Sequence, residues 1–454
     1  MNFLNGCLFI AAIVMLSGIP ARAHDELPSQ TQPLLGVGPG PNLPPPQHSL
    51  IPTVKIAPAK GWPLNLRPSP AHGFAVTEYA SKLDHPRWLY TLPNGDVLVS
   101  ETNAPTRPDD GRGIRGWVMR LLLHRAGAAV PSANKITLLR DINSDGIPEV
   151  RTVFIKGLNS PFGMVLVGET LFVANTDALI RFPYETGQTR ITATGFKVAD
   201  LPAGTINHHW TKNVTANHDG TKLYVTVGSN SNVAENGIDK ENERAAIFEI
   251  DLKSGSRRIF ASGLRNPNGL AWEPQSGALW TTVNERDELG NDLVPDYMTA
   301  VKDGGFYGWP YSYFGHHVDT RVDPQRPDLV ANAIVPDYAL GAHTASLGLV
   351  FNTSKLFPPE FLAGAFVAQH GSWNRKPLVG YKVIFVPFRN GKPNGMPQDF
   401  LSGFVNDSGE AMGRPVGLTF DKLGALLVAD DVGNTIWRVA PNAFGAARTA
   451  ASAK

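Results

Sequence analysis

The sequence has little cysteine and little charge of either sign. Cys7 is the single cysteine in 454 residues, so the chain can form no internal disulfide and cannot hold a c-type haem, whose attachment needs a Cys-x-x-Cys-His motif. Lys and Arg number 41 against 40 Asp and Glu, which leaves no broad basic field for nucleic acid or an anionic membrane surface. The balance of charge therefore favours a small-molecule partner.

Turn-forming residues, in contrast, are abundant. The chain has 45 Gly and 37 Pro, and only 18% of its residues are charged. That content is too rich in turns for a helical bundle, and a hydrophobic fraction of 42% is too high for a disordered chain. We therefore expect an all-β fold.

Residues 1–23 are typical of a secretory signal peptide. An apolar run from Leu8 to Leu16 precedes the small-residue pattern Ala21-Arg22-Ala23. An uncleaved anchor is the alternative, but the run is shorter than the about 20 apolar residues that span a bilayer. We expect an exported, periplasmic protein and leave open whether it associates with the membrane. Because Cys7 lies in this segment, the mature chain would have no thiol.

The rest of the chain divides into three parts. Residues 24–70 are rich in proline and predict an extended N-terminal segment ahead of the fold. Residues 71–442 predict one large folded domain, and residues 443–454 predict a disordered tail.

A weak unit recurs six times within the large domain, which is the pattern of a repeat architecture. Each copy has a Pro or Gly corner, an alternating strand, a turn and a second apolar strand. The copies run from Pro86 to Val99, Pro161 to Val173, Asn213 to Thr226, Pro267 to Trp280, Ser346 to Val367 and Pro415 to Val428. Six copies predict a six-bladed β-propeller. A sandwich is the alternative, but it does not explain the recurring corner.

In a propeller these corners lie near the central channel, so their polar residues would converge. His208 precedes the third copy and could accept a proton near neutral pH, although a structural role is the alternative. Arg265, Arg414 and Arg375 stand at comparable corners. One such arginine is usually an ion-pair partner between blades, but three together indicate a polyanionic ligand.

A separate signal lies between residues 141 and 149. Asp141, Asn143, Asp145 and Glu149 occupy positions 1, 3, 5 and 9 of a calcium-loop pattern, with Gly146 at position 6. Thr152 replaces the glutamate expected at position 12. We expect either a structural calcium site or a plain turn.

At the corners the sequence resembles the soluble PQQ-dependent glucose, aldose-sugar and sorbosone dehydrogenases, and is most similar to the sorbosone branch. The resemblance extends from about Gly73 to Val439. The motifs that carry it are Asn207-His208, Gly263 to Ala271, Asn284 to Asp292, Gly304 to Pro310, His370 to Arg375 and Gly413-Arg414-Pro415.

The resemblance implies a six-bladed propeller that holds pyrroloquinoline quinone (PQQ) with calcium over its channel. It implies that His208 is the general base. The implied cofactor contacts are Arg265 and Asn266 on the quinone side, Arg414 on a carboxylate, and Lys212, Asn284, Asp292 and His370. The implied ligands of the cofactor calcium are the backbone oxygens of Glu285 and Arg286.

The activity that this resemblance implies is hydride transfer from a sugar aldehyde, an aldose or a similar polyol to the quinone. Because the mature chain lacks cysteine, electrons would pass to a separate cytochrome or quinone. Gly228-Ser229-Asn230 departs from the Gly-Asp-Gln of the glucose enzymes, so the substrate can differ from glucose. The alternatives are a calcium-dependent propeller lactonase and a non-catalytic exported binding propeller.

Overall fold

A computed structural model of the chain describes residues 35–47, 53–106 and 121–442. Six antiparallel sheets of four strands or more follow one another along these residues. The predicted all-β, six-bladed propeller is confirmed. The signal peptide and the tail, predicted at residues 1–23 and 443–454, lie outside the described residues.

Each blade is a sheet of four antiparallel strands. In blades one to three the strands are Pro86–Thr91, Val97–Glu101, Lys135–Arg140 and Val150–Lys156; Met164–Val167, Thr170–Ala174, Ala178–Pro183 and Phe196–Asp200; Val214–Ala216, Lys222–Val227, Ala246–Asp251 and Arg257–Ser262. In blades four to six they are Pro267–Trp272, Leu279–Val283, Pro295–Ala300 and Tyr338–Ala342; Ser346–Phe351, Gly364–Gln369, Lys382–Arg389 and Gln398–Ser402; Pro415–Phe420, Leu426–Asp430, Thr435–Pro441 and Phe74–Ala80. Each repeat copy supplies the first two strands of one blade.

Shorter elements extend the blades or connect them. Short added strands are Val37–Gly38 on blade four, Ser69–Pro70 and Lys392–Pro393 on blade five, and Gly305–Phe306 on blade three. A separate hairpin pairs Ser312–Tyr313 with His317–Val318, and the helical turns are Ile238–Glu241, Pro327–Ala331, Pro359–Phe361 and residues 121–125. Within the described residues no helix is long and apolar enough to cross a membrane.

The ring is closed by the pairing of a strand from each end of the domain. Phe74–Ala80 forms the outer strand of blade six, where it pairs with Thr435–Pro441. The first strand of every blade contacts the first strand of the next blade, and blade six contacts blade one. Because the first strands lie against one another around the closed ring, the sheet edges beside the channel are protected.

Apolar layers between neighbouring blades form the core. Six clusters of buried hydrophobic side chains each join two consecutive blades around the ring. In one of them, Leu98 and Phe154 of blade one pack against Leu171 and Val173 of blade two. The second strands are almost wholly buried, and in Val97–Glu101 every residue is buried. Such strands read as continuous apolar runs because both faces are covered.

The described part of the proline-rich segment has almost no regular structure and lies against the propeller. Ala57 is fully buried in the core between blades five and six. Trp62 packs edge-on against Phe404 and Trp437 of that core, with ring centroids 5.5 and 5.3 Å apart. The sequence predicted a segment ahead of the fold, whereas these residues are part of the folded domain.

Phe74→Ala tests how strongly the closing strand holds the ring together. The Phe74 ring lies within 5.3 Å of Phe357 and Phe361 and 4.9 Å from Phe400, measured between centroids. Truncating a buried Phe costs about 3–5 kcal/mol because a cavity is left behind. We expect a clearly lower melting temperature by calorimetry. Phe196→Ala, at a side chain that is 63% exposed, is the control, and an equal loss in both variants would contradict the prediction.

Candidate functional site

The inner hairpin of each blade places the start of its first strand and the end of its second strand at the same end of the channel. Each first strand begins beside the end of its second strand, as Pro86 does beside Glu101 and Ser346 beside Gln369. A cavity of about 600 Å³ opens at this end. Its polar lining includes His85, Arg87, Asn103, His208, His209, Arg265, Asn266, Asn284, Glu285, Asp287, Asp296, His343, His370, Asn374, Arg414 and Asp431.

Asp431 organises one side of the cavity. Its Oδ2 accepts hydrogen bonds from Arg87 Nη1 at 2.7 Å and His370 Nε2 at 2.9 Å, and lies 3.5 Å from His85 Nε2. Burial alone would raise the pKa of Asp431, but His370, His85 and Arg87 hold it well below its usual range. Burial lowers the pKa of His85 to about 4 and also lowers that of His370. Asp431 therefore holds Arg87 and His370 by hydrogen bonds and lies beside His85.

Arg414 lies next to this group at the start of blade six. Its backbone N–H donates to Asp430 Oδ1 at 2.8 Å, and its Nη2 donates to the Ala57 carbonyl at 3.2 Å. The guanidinium lies over the Tyr381 ring, 4.9 Å from the centroid. Its Nε is buried and has no hydrogen-bond partner in the described part of the chain. A buried donor of this kind needs an acceptor from a ligand or water.

Arg265 has a different environment at the corner between blades three and four. Its Nη1 donates to the backbone oxygen of Glu285 at 2.7 Å, and its Nη2 donates to Asn232 Oδ1 at 3.0 Å. Asn232 also accepts from Arg265 Nε through its backbone oxygen at 3.2 Å. The Arg265 side chain is 3% exposed, so it anchors the loop 284–287 as well as lining the cavity.

Carboxyl groups border the cavity beyond Arg265. Burial raises the pKa of Glu285 to about 7 and that of Asp296 to about 6. Asp287 accepts hydrogen bonds from His343 Nδ1 at 3.2 Å and Asn374 Nδ2 at 2.7 Å. Although burial opposes it, the interaction with Asp287 raises the pKa of His343. The cavity thus combines a cationic side with a group of oxygen donors.

The histidine pair of the sequence analysis lies at the edge of the cavity. His208 is exposed, and its ring is perpendicular to that of His209 with 4.8 Å between centroids. His209 Nδ1 lies 2.9 Å from Ser229 Oγ and 3.0 Å from the Ser229 carbonyl. His209 is therefore fixed by blade three, while His208 lines the cavity with an exposed side chain.

Several predicted residues lie away from the cavity. Lys212 is fully buried, and its Nζ donates to the Trp210 carbonyl at 3.3 Å. Burial lowers its pKa well below the usual value. Asp292 pairs with Arg375 at 2.6 Å. The side chains of Lys212, Asp292 and Arg375 do not line the cavity.

Arg286 and the predicted calcium loop also lie outside the cavity lining. The Arg286 side chain forms a buried ion pair with Asp319 at 2.8 Å. The loop joins the third and fourth strands of blade one. In this loop, carboxylate oxygens of Asp141, Asp145 and Glu149 lie within 4.8 Å of one another. Asn143 accepts from the Asp145 N–H at 2.8 Å, so a calcium-like turn is present and a bound ion remains a prediction.

The sequence analysis missed several charged or titratable residues of the cavity, among them His85, Arg87, Asp296, His343 and Asp431. Arg87 and His85 flank the corner proline of the first repeat copy, and His343 precedes the fifth copy. Asp431 directly follows a second strand. The signal that could have found Asp431 is the register of the hairpin, because the end of a second strand lies beside the corner.

The arrangement suits a small planar anion. Arg87, Arg265 and Arg414 reach one cavity, which five histidine side chains also line. Buried guanidinium groups bind carboxylates strongly because their donors form a fixed planar fork. Apolar side chains complete the wall, and they belong to Ile56, Leu122, Leu123, Trp373 and Val432.

The fold and the cavity define a class of six-bladed propellers whose channel ends in an arginine-lined pocket. Comparison with known proteins places the chain more closely. It belongs to the TrAA12-like family, whose model matches residues 68–296 and 326–442.

Relatives of known name agree with this assignment. The chain is 25% identical over 361 residues to the pyrroloquinoline quinone-dependent pyranose dehydrogenase of Coprinopsis cinerea, covering 70% of this chain and 44% of that protein. The chain spans less than two thirds of the length of the first curated relatives that it matches.

Two solved structures share the fold. The holo form of the PQQ domain of Coprinopsis cinerea pyranose dehydrogenase superimposes with a TM-score of 0.65 at 21% identity, covering 85% of this chain and all of that domain. The calcium structure of the Trichoderma reesei family AA12 enzyme gives a TM-score of 0.66 at 18% identity and covers 86% of this chain and 99% of that one. At these identities the likeness establishes the propeller fold.

His85→Asn tests the electrostatics of the Asp431 group. Because the pKa of His85 is lowered to about 4 in the folded chain and is about 6.5 in an unfolded one, acid favours unfolding. Stability should be complete above pH 6.5 and should fall as the pH drops towards 4, by about 3 kcal/mol from this residue. We expect the ligand-free variant to lose less stability than the wild type over this interval, measured as melting temperature against pH.

The control for this test is His218→Asn, which changes an exposed histidine in a blade-three turn. Its pH profile should follow that of the wild type. If His85→Asn shows the same acid sensitivity as His218→Asn, His85 does not carry the effect.

Proposed function

We propose that the protein is a PQQ-dependent oxidoreductase that oxidises a sugar aldehyde, an aldose or a similar polyol. The observation that carries the proposal is the convergence of Arg87, Arg265 and Arg414 on one cavity in a member of the TrAA12-like family. The pyranose dehydrogenase relative supports a sugar substrate. A sorbosone-type substrate is the finer form of the proposal, and it rests on the sequence motifs alone.

The residues of the cavity fit PQQ. The cofactor has three carboxylates and an ortho-quinone, so it needs several cations and hydrogen-bond donors in one place. Arg87 and Arg414 each have a buried Nε without a partner in the described residues. Both would hold cofactor carboxylates, and His370, fixed by Asp431, would add a polar contact. A solved PQQ domain with the same fold supports this choice of anion.

The loop 284–287 fits calcium, which takes oxygen ligands. Glu285 Oε1 is buried without a partner in the described part of the chain. The backbone oxygen of Glu285 accepts from Arg265 and keeps a second lone pair. Asn284 and Asp287 also line the cavity. For Arg286 only the backbone oxygen is a candidate, because its side chain pairs with Asp319.

In the proposed reaction the chain binds the substrate and takes up its proton. His208 would accept the proton of the substrate hydroxyl at Nδ1 or Nε2, because it lies at the open edge of the cavity. When bound, PQQ supplies the hydride acceptor, and calcium withdraws charge from the quinone. Arg414 and Arg87 would orient the bound anion, and Leu122 and Trp373 would limit the access of water.

The proposal extends to the route of the electrons and to the location of the protein. A cytochrome or a quinone would receive the electrons, because the chain has no Cys-x-x-Cys-His motif. We propose a periplasmic protein, exported by the signal sequence of residues 1–23. The proposal of export leaves open whether the protein associates with the membrane.

Reconstitution tests the proposed activity. Protein purified without cofactor should reduce an artificial dye with aldoses or aldehydes only after both PQQ and calcium are added, and bound PQQ should be visible by its absorbance. A chelator should lower the rate and added calcium should restore it. Ester hydrolysis without PQQ would instead indicate a lactonase. If the protein shows neither dehydrogenase nor esterase activity, the binding propeller would be the remaining alternative and the proposal would be overturned.

His208→Ala tests the general base. Loss of a general base typically lowers turnover by about 10²-fold or more, while PQQ affinity should stay near the wild-type value. Steady-state kinetics and a PQQ titration measure the two effects separately. His218→Ala, in an exposed turn, is the control and should turn over normally. Turnover of His208→Ala within a few-fold of this control would reject His208, and His209 would be the next candidate.

A further inference from the structure

Residues 53–62, which we call the strap, precede the matched region of the family model, which begins at residue 68. The strap has no helix and only two isolated β-bridges to the propeller. We infer that the strap is part of the cofactor-binding site and that it holds Arg414 in position. The inference rests on the proposed function for the identity of the ligand.

Backbone hydrogen bonds fix the strap to two segments of the cavity wall. The Lys55 N–H donates to the Trp373 carbonyl at 2.9 Å, and the Ala59 N–H donates to the Arg125 carbonyl at 2.9 Å. Trp373 lines the cavity from blade five, and Arg125 ends the helical turn of residues 121–125 that lines it from blade one. The strap therefore connects two wall segments that are distant in the sequence.

The middle of the strap contacts the segment that leads to Arg414. Ala411 donates to the Pro58 carbonyl and accepts from the Lys60 N–H, both at 2.8 Å. The guanidinium of Arg414 then donates to the Ala57 carbonyl at 3.2 Å. This bond fixes one Nη of Arg414, while its Nε stays without a partner in the described residues. The strap thus sets the direction of the arginine and leaves a donor available for a ligand.

Trp62 completes the arrangement at the end of the strap. Its indole N–H donates to Asp430 Oδ2 at 2.6 Å. The other oxygen of Asp430 accepts the backbone N–H of Arg414 at 2.8 Å. Trp62 is therefore a positioning residue, since it acts on Arg414 through a buried carboxylate rather than by touching the ligand.

Two glycines opposite the strap allow it to approach this closely. A β-carbon on Gly127 would lie 2.7 Å from the β-carbon of Ala59, and a β-carbon on Gly433 would lie 2.7 Å from Trp62 Cδ1. Contacts this short do not occur between real side chains. Ile56 of the strap lines the cavity itself. These contacts place the strap in the wall of the site and not only on the outer surface of a blade.

Trp62→Phe is the test, because it keeps an aromatic ring in the core and removes the indole donor; the accompanying loss of ring volume is shared by the control. The matched control is Trp272→Phe. Trp272 is also half-buried, and its indole N–H donates to the Ala216 carbonyl at 2.7 Å, away from the cavity lining. PQQ affinity is measured by titration, and exchange of the Lys60 and Ala411 amide hydrogens is measured in the ligand-free proteins.

We expect Trp62→Phe to bind PQQ about fivefold or more weakly than Trp272→Phe, as for the loss of one hydrogen bond. The Lys60 and Ala411 amides should exchange at least several-fold faster, while those of the blade strands stay unchanged. Equal PQQ affinity in the two variants would overturn the inference. Weaker binding without faster exchange would support the route through Asp430 but would overturn the claim that the rest of the strap holds Arg414 through the Ala57 carbonyl. If the wild type itself binds no PQQ, the proposed function fails instead.

Discussion

The site depends on two adjacent buried carboxylates at the end of the second strand of blade six. Asp430 holds the backbone of Arg414 and the indoles of Trp62 and Trp437. Asp431 holds Arg87 and the two histidines. One dipeptide therefore anchors both the wall of the cavity and its cationic lining. The buried charge of Asp431 is stable because it is paired with Arg87.

The balance of charge in the cavity supports the proposed binding of an anion. Asp431 compensates Arg87, and Asp287 lies 3.5 Å from Arg265. Among the described residues, Arg414 has no carboxylate within salt-bridge distance of its guanidinium; it lies over the Tyr381 ring instead. Leaving a buried cation without a counter-ion is costly. A bound carboxylate would remove that cost. Of the three arginines, Arg414 is therefore the one best suited to bind a carboxylate of the ligand.

The six hairpins could be predicted from the sequence because strand, turn and strand are local patterns. Corner residues such as His208, Arg265 and Arg414 were found for the same reason. Arg87 and Asp431 were not, because they are 344 residues apart and meet only when the ring closes. The strap was also missed, since the proline-rich composition of residues 24–70 indicates an extended chain but not the surface on which that chain lies.

The geometry gives Arg265 and Arg414 different roles, although both stand at corners of the same kind. Arg265 donates to the backbone oxygens of Glu285 and Asn232, so most of its donors are occupied before a ligand binds. Such an arginine shapes the loop 284–287, the same loop whose oxygens suit calcium. Arg414 keeps a buried donor open. A cation site and an anion site can therefore lie side by side without one arginine having to serve both.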